Sequence, residues 1–300
     1  MTNPDFGTTG NSIWNQPYID HLTEHFFPSV DLGALPDRAS EFLEVYPQWI
    51  ASSQFNSFTG LDKFPHRWVS LGTTQTLDWF HYYCAANGLR IRMMRGEYPY
   101  NRDALLEGVW THDRYIGDRP LIAGDAVIVS VPFSGTGRVP PRWNRLLEEC
   151  NAKQIPVLVD CAWFGTCWDI DVDLSADCIK LVSFSTTKGL SCGNWRSGIT
   201  FSRIAEGSLA VQTEWLHGIH LNTAIGLELM QNFSPDTLVK KYRDAHAQVC
   251  VHYGLDASNT IHIATSDDPA YDSYSRDGAH NRINIRTALK RYNKNGTFTQ

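Results

Sequence analysis

The chain has no stretch of apolar residues near the roughly 20 needed to cross a bilayer, and no basic start followed by an apolar run at its first residues. A cytoplasmic protein is the expectation. It has no excess of positive charge: 26 Lys and Arg stand against 32 Asp and Glu, for a formal net charge of −6. A field of that sign attracts neither phosphate backbones nor anionic lipid, so small molecules are expected as ligands, not nucleic acid or a membrane surface. No Cys-x-x-Cys pair occurs, and the seven cysteines are an odd number on a chain of 300 residues. They are expected to be reduced, buried thiols and not a disulfide framework. Repeats, low-complexity tracts and charge blocks are also missing, and so are the G-x-G-x-x-G and P-loop patterns. Ser134-Gly135-Thr136-Gly137 is glycine-rich and fits neither. Dinucleotide binding and P-loop nucleotide hydrolysis are therefore set aside.

What is present is alternation. Residues 1–50 are rich in Pro, Asp, Asn and aromatics and read as an irregular arm with one helix over 37–45. Short apolar runs then recur at 89–94, 126–131, 156–159 and 179–184, with helical spacing over 76–87 and 142–153 between them. Gly72, Thr73 and Thr74 form the turn that opens the first of these helices. A further strand is expected at 199–202, a long helical region over 221–253, and two weaker strands at 260–264 and 283–285. Strands alternating with helices predict an α/β fold: a large domain over 51–220 with a mostly parallel sheet covered by helices. Residues 221–300 are expected to supply a linking helix and a reduced small α+β domain.

Two histidine pairs match metal-like spacings, His21 with His25 and His217 with His220. Neither is accompanied by an evident further ligand, and both read as ordinary helix-surface residues. The informative segment runs from Asp160 to Gly198. One strand ends in Asp160-Cys161-Ala162-Trp163, and a second ends in Ser185-Thr186-Thr187-Lys188, followed by Arg196-Ser197-Gly198. Polar residues just beyond the carboxyl ends of strands line the ligand crevice of open α/β sheets. Taken singly, an Asp at a strand end is often a cap, and a Lys–Arg pair is often a solvated surface. Their joint order and spacing select the functional reading.

That order resembles the pyridoxal-phosphate-dependent, aminotransferase-like family of fold type I, which carries Asp-x-Ala-Tyr, then Ser-x-x-Lys, then Arg-x-Gly. The resemblance implies pyridoxal 5′-phosphate as cofactor, with Lys188 as its Schiff-base lysine. A buried amine near positive charge is neutral often enough to condense with an aldehyde. Asp160 matches the acid that keeps the pyridine nitrogen protonated, which makes the ring an electron sink. Arg196, Ser185 and the backbone of Gly72, Thr73 and Thr74 match the phosphate site, where a guanidinium, hydroxyls and a helix N-terminus suit a dianion. Tyr98, in Gly96-Glu97-Tyr98-Pro99-Tyr100, stands where the family stacks an aromatic ring on the cofactor. Arg282, in Asn281-Arg282-Ile283-Asn284, matches the arginine that binds the substrate α-carboxylate, with Arg286 as the fallback on the same strand face.

The sequence also departs from the family. Ser134 stands where an asparagine is usual and Trp163 where a tyrosine is usual, both facing the cofactor's phenolic oxygen. Phe55, ahead of Gly60, replaces a tyrosine that reaches the phosphate from a partner subunit. The chain is also shorter than family members, mostly after Arg196. The resemblance implies a homodimer acting at the α-carbon of an amino acid, most often an aminotransferase that gives a 2-oxo acid and uses another as acceptor. Decarboxylation, β- or γ-elimination and a specialised biosynthetic step are the alternatives on the same fold. A cofactor-binding protein without turnover ranks below them, since it needs neither Lys188 nor Asp160.

Overall fold

A computed structural model of the protein describes residues 6–7, 13–104, 114–216 and 218–295. Helices α1 (Gln16–His21) and α2 (Ala39–Ala51) lead to β1 (Asn56–Thr59), β2 (His66–Ser70), α3 (Thr73–Ala86), β3 (Arg90–Arg92) and α4 (Tyr100–Asp103). Then come β4 (Asp125–Ser130), α5 (Trp143–Ala152), β5 (Val157–Cys161), β6 (Ile170–Asp173), β7 (Ile179–Ser185), the single turn α6 (Thr186–Gly189) and β8 (Gly198–Ser202). The last part holds α7 (Ser208–Trp215), α8 (His220–Asn232), α9 (Thr237–Tyr253), β9 (Asp256–Ala257), β10 (Ile263–Ser266), β11 (Ser275–Arg276), β12 (His280–Asn284) and α10 (Arg286–Asn295).

Six strands form the central sheet, in the order β2-β8-β7-β5-β4-β3. Neighbours among β3, β4, β5 and β7 are parallel, and β8 runs against both of its neighbours. The sheet is thus mostly parallel, and helices cover both faces, as such sheets require. Successive residues of β4 serve opposite sides. Ala126 and Ile128 pack with Leu77 and Phe80 of α3, whereas Val127 and Val129 belong to the larger core with Leu146 of α5, Ile225 of α8 and Phe42 of α2. A second, antiparallel sheet runs β11-β12-β10-β9. All seven cysteines are free and buried. No helix among the described residues is long and apolar enough to cross a membrane.

Several elements differ from the sequence expectation. Helix α2 continues past residue 45 and through Pro47, because its buried stripe of Phe42, Tyr46, Trp49 and Ile50 keeps helical spacing beyond the proline. The expected helical region over 221–253 is two helices, interrupted around Pro235. Asp236 in that break is buried and accepts hydrogen bonds from Ser53 Oγ and the Gln54 N–H, both at 2.7 Å, which ties the end of α2 to the start of α9. The two late strands lie at 263–266 and 280–284. Arg286 is not on a strand: Asn284 Oδ1 accepts its N–H at 2.9 Å and opens α10, so the shared-face argument for it fails.

Candidate active site

The carboxyl edge of the central sheet collects polar residues in register. Ser130 pairs with Asp160 and Asp160 with Ser183, while Ser185 pairs with Gly198 and Gly198 with Ser70. The loops leaving these ends enclose a cavity of about 390 Å³. Eleven of the candidates named from the sequence line it: Gly72, Thr73, Thr74, Tyr98, Ser134, Asp160, Trp163, Ser185, Lys188, Arg196 and Arg282. Ser130, Ala162, Thr187, Gly193, Asn194 and Arg276 line it as well.

One corner is built around Gly72, whose φ of +86° suits glycine. A Cβ there would lie 3.2 Å from Ser185 Oγ, 3.6 Å from Thr187 Oγ1 and 4.0 Å from the Arg196 Cβ. Helix α3 begins at Thr73 without a side-chain cap, so its first N–H groups face this corner with no side chain on them. Thr73 and Thr74 are the first residues of the helix, which starts three residues before the apolar spacing over 76–87. The corner suits a phosphate: helix N–H groups, two hydroxyls and a guanidinium converge where only a glycine leaves room.

The floor carries the titratable pair. Asp160 is buried, accepts the Ala162 N–H at 2.9 Å, and has its carboxyl raised by burial, against the Lys188 charge and hydrogen bonds from Ala162 and Thr73. The half-buried Lys188 lies with Nζ 4.6 Å from the centre of the Trp163 ring. Burial lowers its amine from 10.5 to about 8; Asp160 opposes that shift, and Arg196 and Arg282 add to it. The turn that carries Lys188 and the loop that carries Trp163 meet backbone to backbone. A Cβ on Gly165 would lie 2.7 Å from the Gly189 Cα, and one on Gly189 would lie 2.8 Å from the Phe164 carbonyl oxygen.

A wall facing this pair is built on Ser134. Arg282 Nε donates to its carbonyl oxygen at 2.7 Å, and Arg276 Nη1 donates to its Oγ at 3.0 Å. The Ser134 N–H donates to Ser130 Oγ at 2.8 Å, and that hydroxyl donates to the carboxylate of Glu97. Glu97 also accepts the N–H groups of Tyr98 and Ser130, at 2.7 and 2.9 Å. It is 1% exposed, and burial raises it to about 7. Tyr98 is 38% exposed and its ring stacks on Tyr100 with centroids 5.9 Å apart. Glu97, Ser130, Thr187 and Arg276 were not singled out from the sequence. Thr187 lies in the quoted Ser185-Thr186-Thr187-Lys188 stretch, but Arg276 belongs to no motif.

The remaining sequence candidates lie elsewhere. Phe55 does not line the cavity; its ring faces the Arg243 guanidinium at 5.6 Å and its carbonyl accepts the Asp169 N–H. His21 is 2.7 Å from a carboxylate oxygen of Glu228, and among the described residues no cluster of three or more His, Cys, Asp or Glu could hold a metal ion. His217, of the pair with His220, lies outside the described residues.

No protein-family model and no curated protein matches this sequence. Solved structures match along most of the chain. A tyrosine aminotransferase from Leishmania infantum superposes with a TM-score of 0.64 at 14% identity, covering 94% of this chain and 90% of that one. An aspartate aminotransferase from Thermotoga maritima gives 0.67 at 12%, covering 96% and 90%. A pyridoxal-phosphate-bound C-S lyase from Staphylococcus hominis gives 0.67 at 11%, covering 95% and 88%.

Proposed function

From the fold type I architecture that this chain shares with aminotransferases and a C-S lyase, we propose that it is a pyridoxal-phosphate-dependent enzyme acting at the α-carbon of an amino acid. The observation that supports this most is the convergence in one cavity of an anion-shaped corner at Gly72, a buried carboxylate at Asp160 and an amine at Lys188 lowered to about 8. The residues fit the cofactor. Thr73, Thr74, Ser185, Thr187 and Arg196 would hold its phosphate, Asp160 its ring nitrogen, and Lys188 its aldehyde carbon. When bound, the cofactor supplies an electrophilic carbonyl carbon and an electron-withdrawing ring for the bonds at the substrate α-carbon.

The chain's own groups then have separate tasks. Asp160 holds a proton at the ring nitrogen, and its burial strengthens that charge–charge contact. Lys188, which would hold the cofactor, would as a free amine accept a proton from the substrate α-carbon at Nζ and give it back during the reaction. Arg282 orients the substrate by its α-carboxylate. Tyr98 and Trp163 form aromatic walls, which keep water from the reacting atoms. Transamination to a 2-oxo acid, with a second 2-oxo acid as acceptor, is the reaction we infer. Residues 51–220 hold the cofactor in this scheme, and residues 221–300 contribute the substrate's carboxylate site.

Borohydride reduction of the protein loaded with pyridoxal phosphate, followed by peptide mass mapping, tests the assignment. A pyridoxyl group on Lys188 and formation of pyridoxamine phosphate from amino acids are expected. A label on another lysine, such as Lys180, overturns the site. Release of ammonia or carbon dioxide without pyridoxamine phosphate replaces transamination with elimination or decarboxylation.

A further inference from the structure

The cavity has one guanidinium that the reaction proposed above leaves without a task. Its lining holds Lys188, Arg196, Arg276 and Arg282 but a single carboxylate, Asp160. On that reading, Arg196 faces the cofactor phosphate, and Lys188 and Asp160 face the ring. An α-carboxylate then engages one of the two remaining guanidiniums, and the other faces neither the phosphate nor the ring in that assignment.

That guanidinium is Arg276. It sits on β11, paired with His280 of β12, and its side chain is half-buried at the cavity wall. Two acids act on it electrostatically, Glu97 and Asp277. Asp277 is engaged by Arg102 at 2.6 Å. Glu97 is engaged by Ser130 and Tyr98, on the far side of the Ser130 hydroxyl from Ser134. Among the described residues, no carboxylate lies within ion-pair distance of Arg276. Among the described residues its side chain makes one hydrogen bond, to Ser134 Oγ, which leaves most of its donors for a ligand. Arg282 is fixed on the carbonyl of the same serine, so two like charges are held side by side by one residue. The pair matches a ligand with two negative groups.

We propose that the amino-acid substrate carries a second carboxylate on a short side chain, received by Arg276 while Arg282 receives the α-carboxylate. The side chain is short because both guanidiniums meet at Ser134, so carboxylates bound to them are separated by only a few carbons. One guanidinium balances one carboxylate, and its planar fork of donors matches that group in two places.

Calorimetric titration of the cofactor-loaded protein with succinate and with butyrate, two four-carbon acids that carry no amine and do not react, tests the proposal. Succinate is expected to bind at least about tenfold more tightly, the factor that ~1.4 kcal/mol represents. Arg276→Gln should bring the two acids to within about twofold while retaining the cofactor absorption band, and Arg276→Lys should keep part of the preference. Equal affinities in the wild type, or an unchanged ratio in Arg276→Gln, overturn the inference. If Arg276→Gln does not fold, the wild-type ratio and Arg276→Lys decide. Failure to bind pyridoxal phosphate sinks the proposed function instead, and the same titration of the protein as purified still reads Arg276 alone. Loaded protein that shows no succinate preference sinks the inference and spares the function.

Discussion

In protein free of cofactor, Lys188 is expected to lose its proton near pH 8. An ordinary lysine amine does so near 10.5. At pH 7 the Lys188 amine is then roughly one-tenth neutral, against about one part in 3,000 for an unperturbed amine, a gain of roughly 300-fold in the form that attacks an aldehyde. Burial produces the shift, and Asp160 works against it. Asp160→Asn should therefore move the midpoint lower still, and Arg196→Gln should move it up, since the Arg196 charge repels the protonated amine. Trace acetylation across pH 6 to 10, read peptide by peptide, gives the midpoint directly. Stability supplies an independent reading. Between about 8 and 10.5 the unfolded chain binds a proton at this lysine that the folded chain has shed, so folding stability contributed here rises with pH across that window. Lys188→Met should remove that rise in urea unfolding. A wild-type midpoint near 10, or an upward move in Asp160→Asn, would refute burial as the cause.

Gly72→Ala places a Cβ 3.2 Å from Ser185 Oγ at a φ of +86°, and should weaken pyridoxal phosphate binding by roughly tenfold or more, measured by equilibrium dialysis. Arg196→Ala should weaken the cofactor and Arg282→Ala the carboxylate ligand, each by roughly 10- to 100-fold; equal loss of cofactor in both would show that the two arginines are not divided in this way. Glu97 holds its proton in the folded chain up to about 7, whereas an ordinary glutamate releases it near 4.5. Its contribution to stability therefore falls as pH rises through that window, by at most roughly 3 kcal/mol. Urea unfolding at pH 5 and pH 8 should show this fall in the wild type and not in Glu97→Gln; parallel slopes would exclude it.

The parts of the cavity legible in the sequence are those whose neighbours in space are near neighbours in the chain or sit at strand ends. Asp160 closes an apolar run, Ser185 to Lys188 close another, and Arg196 precedes the strand that returns beside it, so one stretch supplies the floor and one wall. Arg276 had no such context. It reaches the cavity because a hairpin pairs it with His280, and a two-residue strand leaves no periodicity to detect. Glu97 carries no local signal of its own, since its burial depends on Ser130 arriving from β4. The break at Pro235 and the helix start at Asn284 had local signals, a proline and a capping side chain. Apolar spacing outweighed the first, and the assumed length of a strand outweighed the second.

The contact between Gly165 and Gly189 bears on how this site could be altered. Main chain on main chain sets how far the Lys188 amine stands from the Trp163 indole, and side chains can be exchanged around that distance without changing it. A library aimed at new substrates can therefore vary Arg276, Tyr98 or Asn194 freely, whereas any residue with a Cβ at either glycine would part the two loops and shift the amine itself.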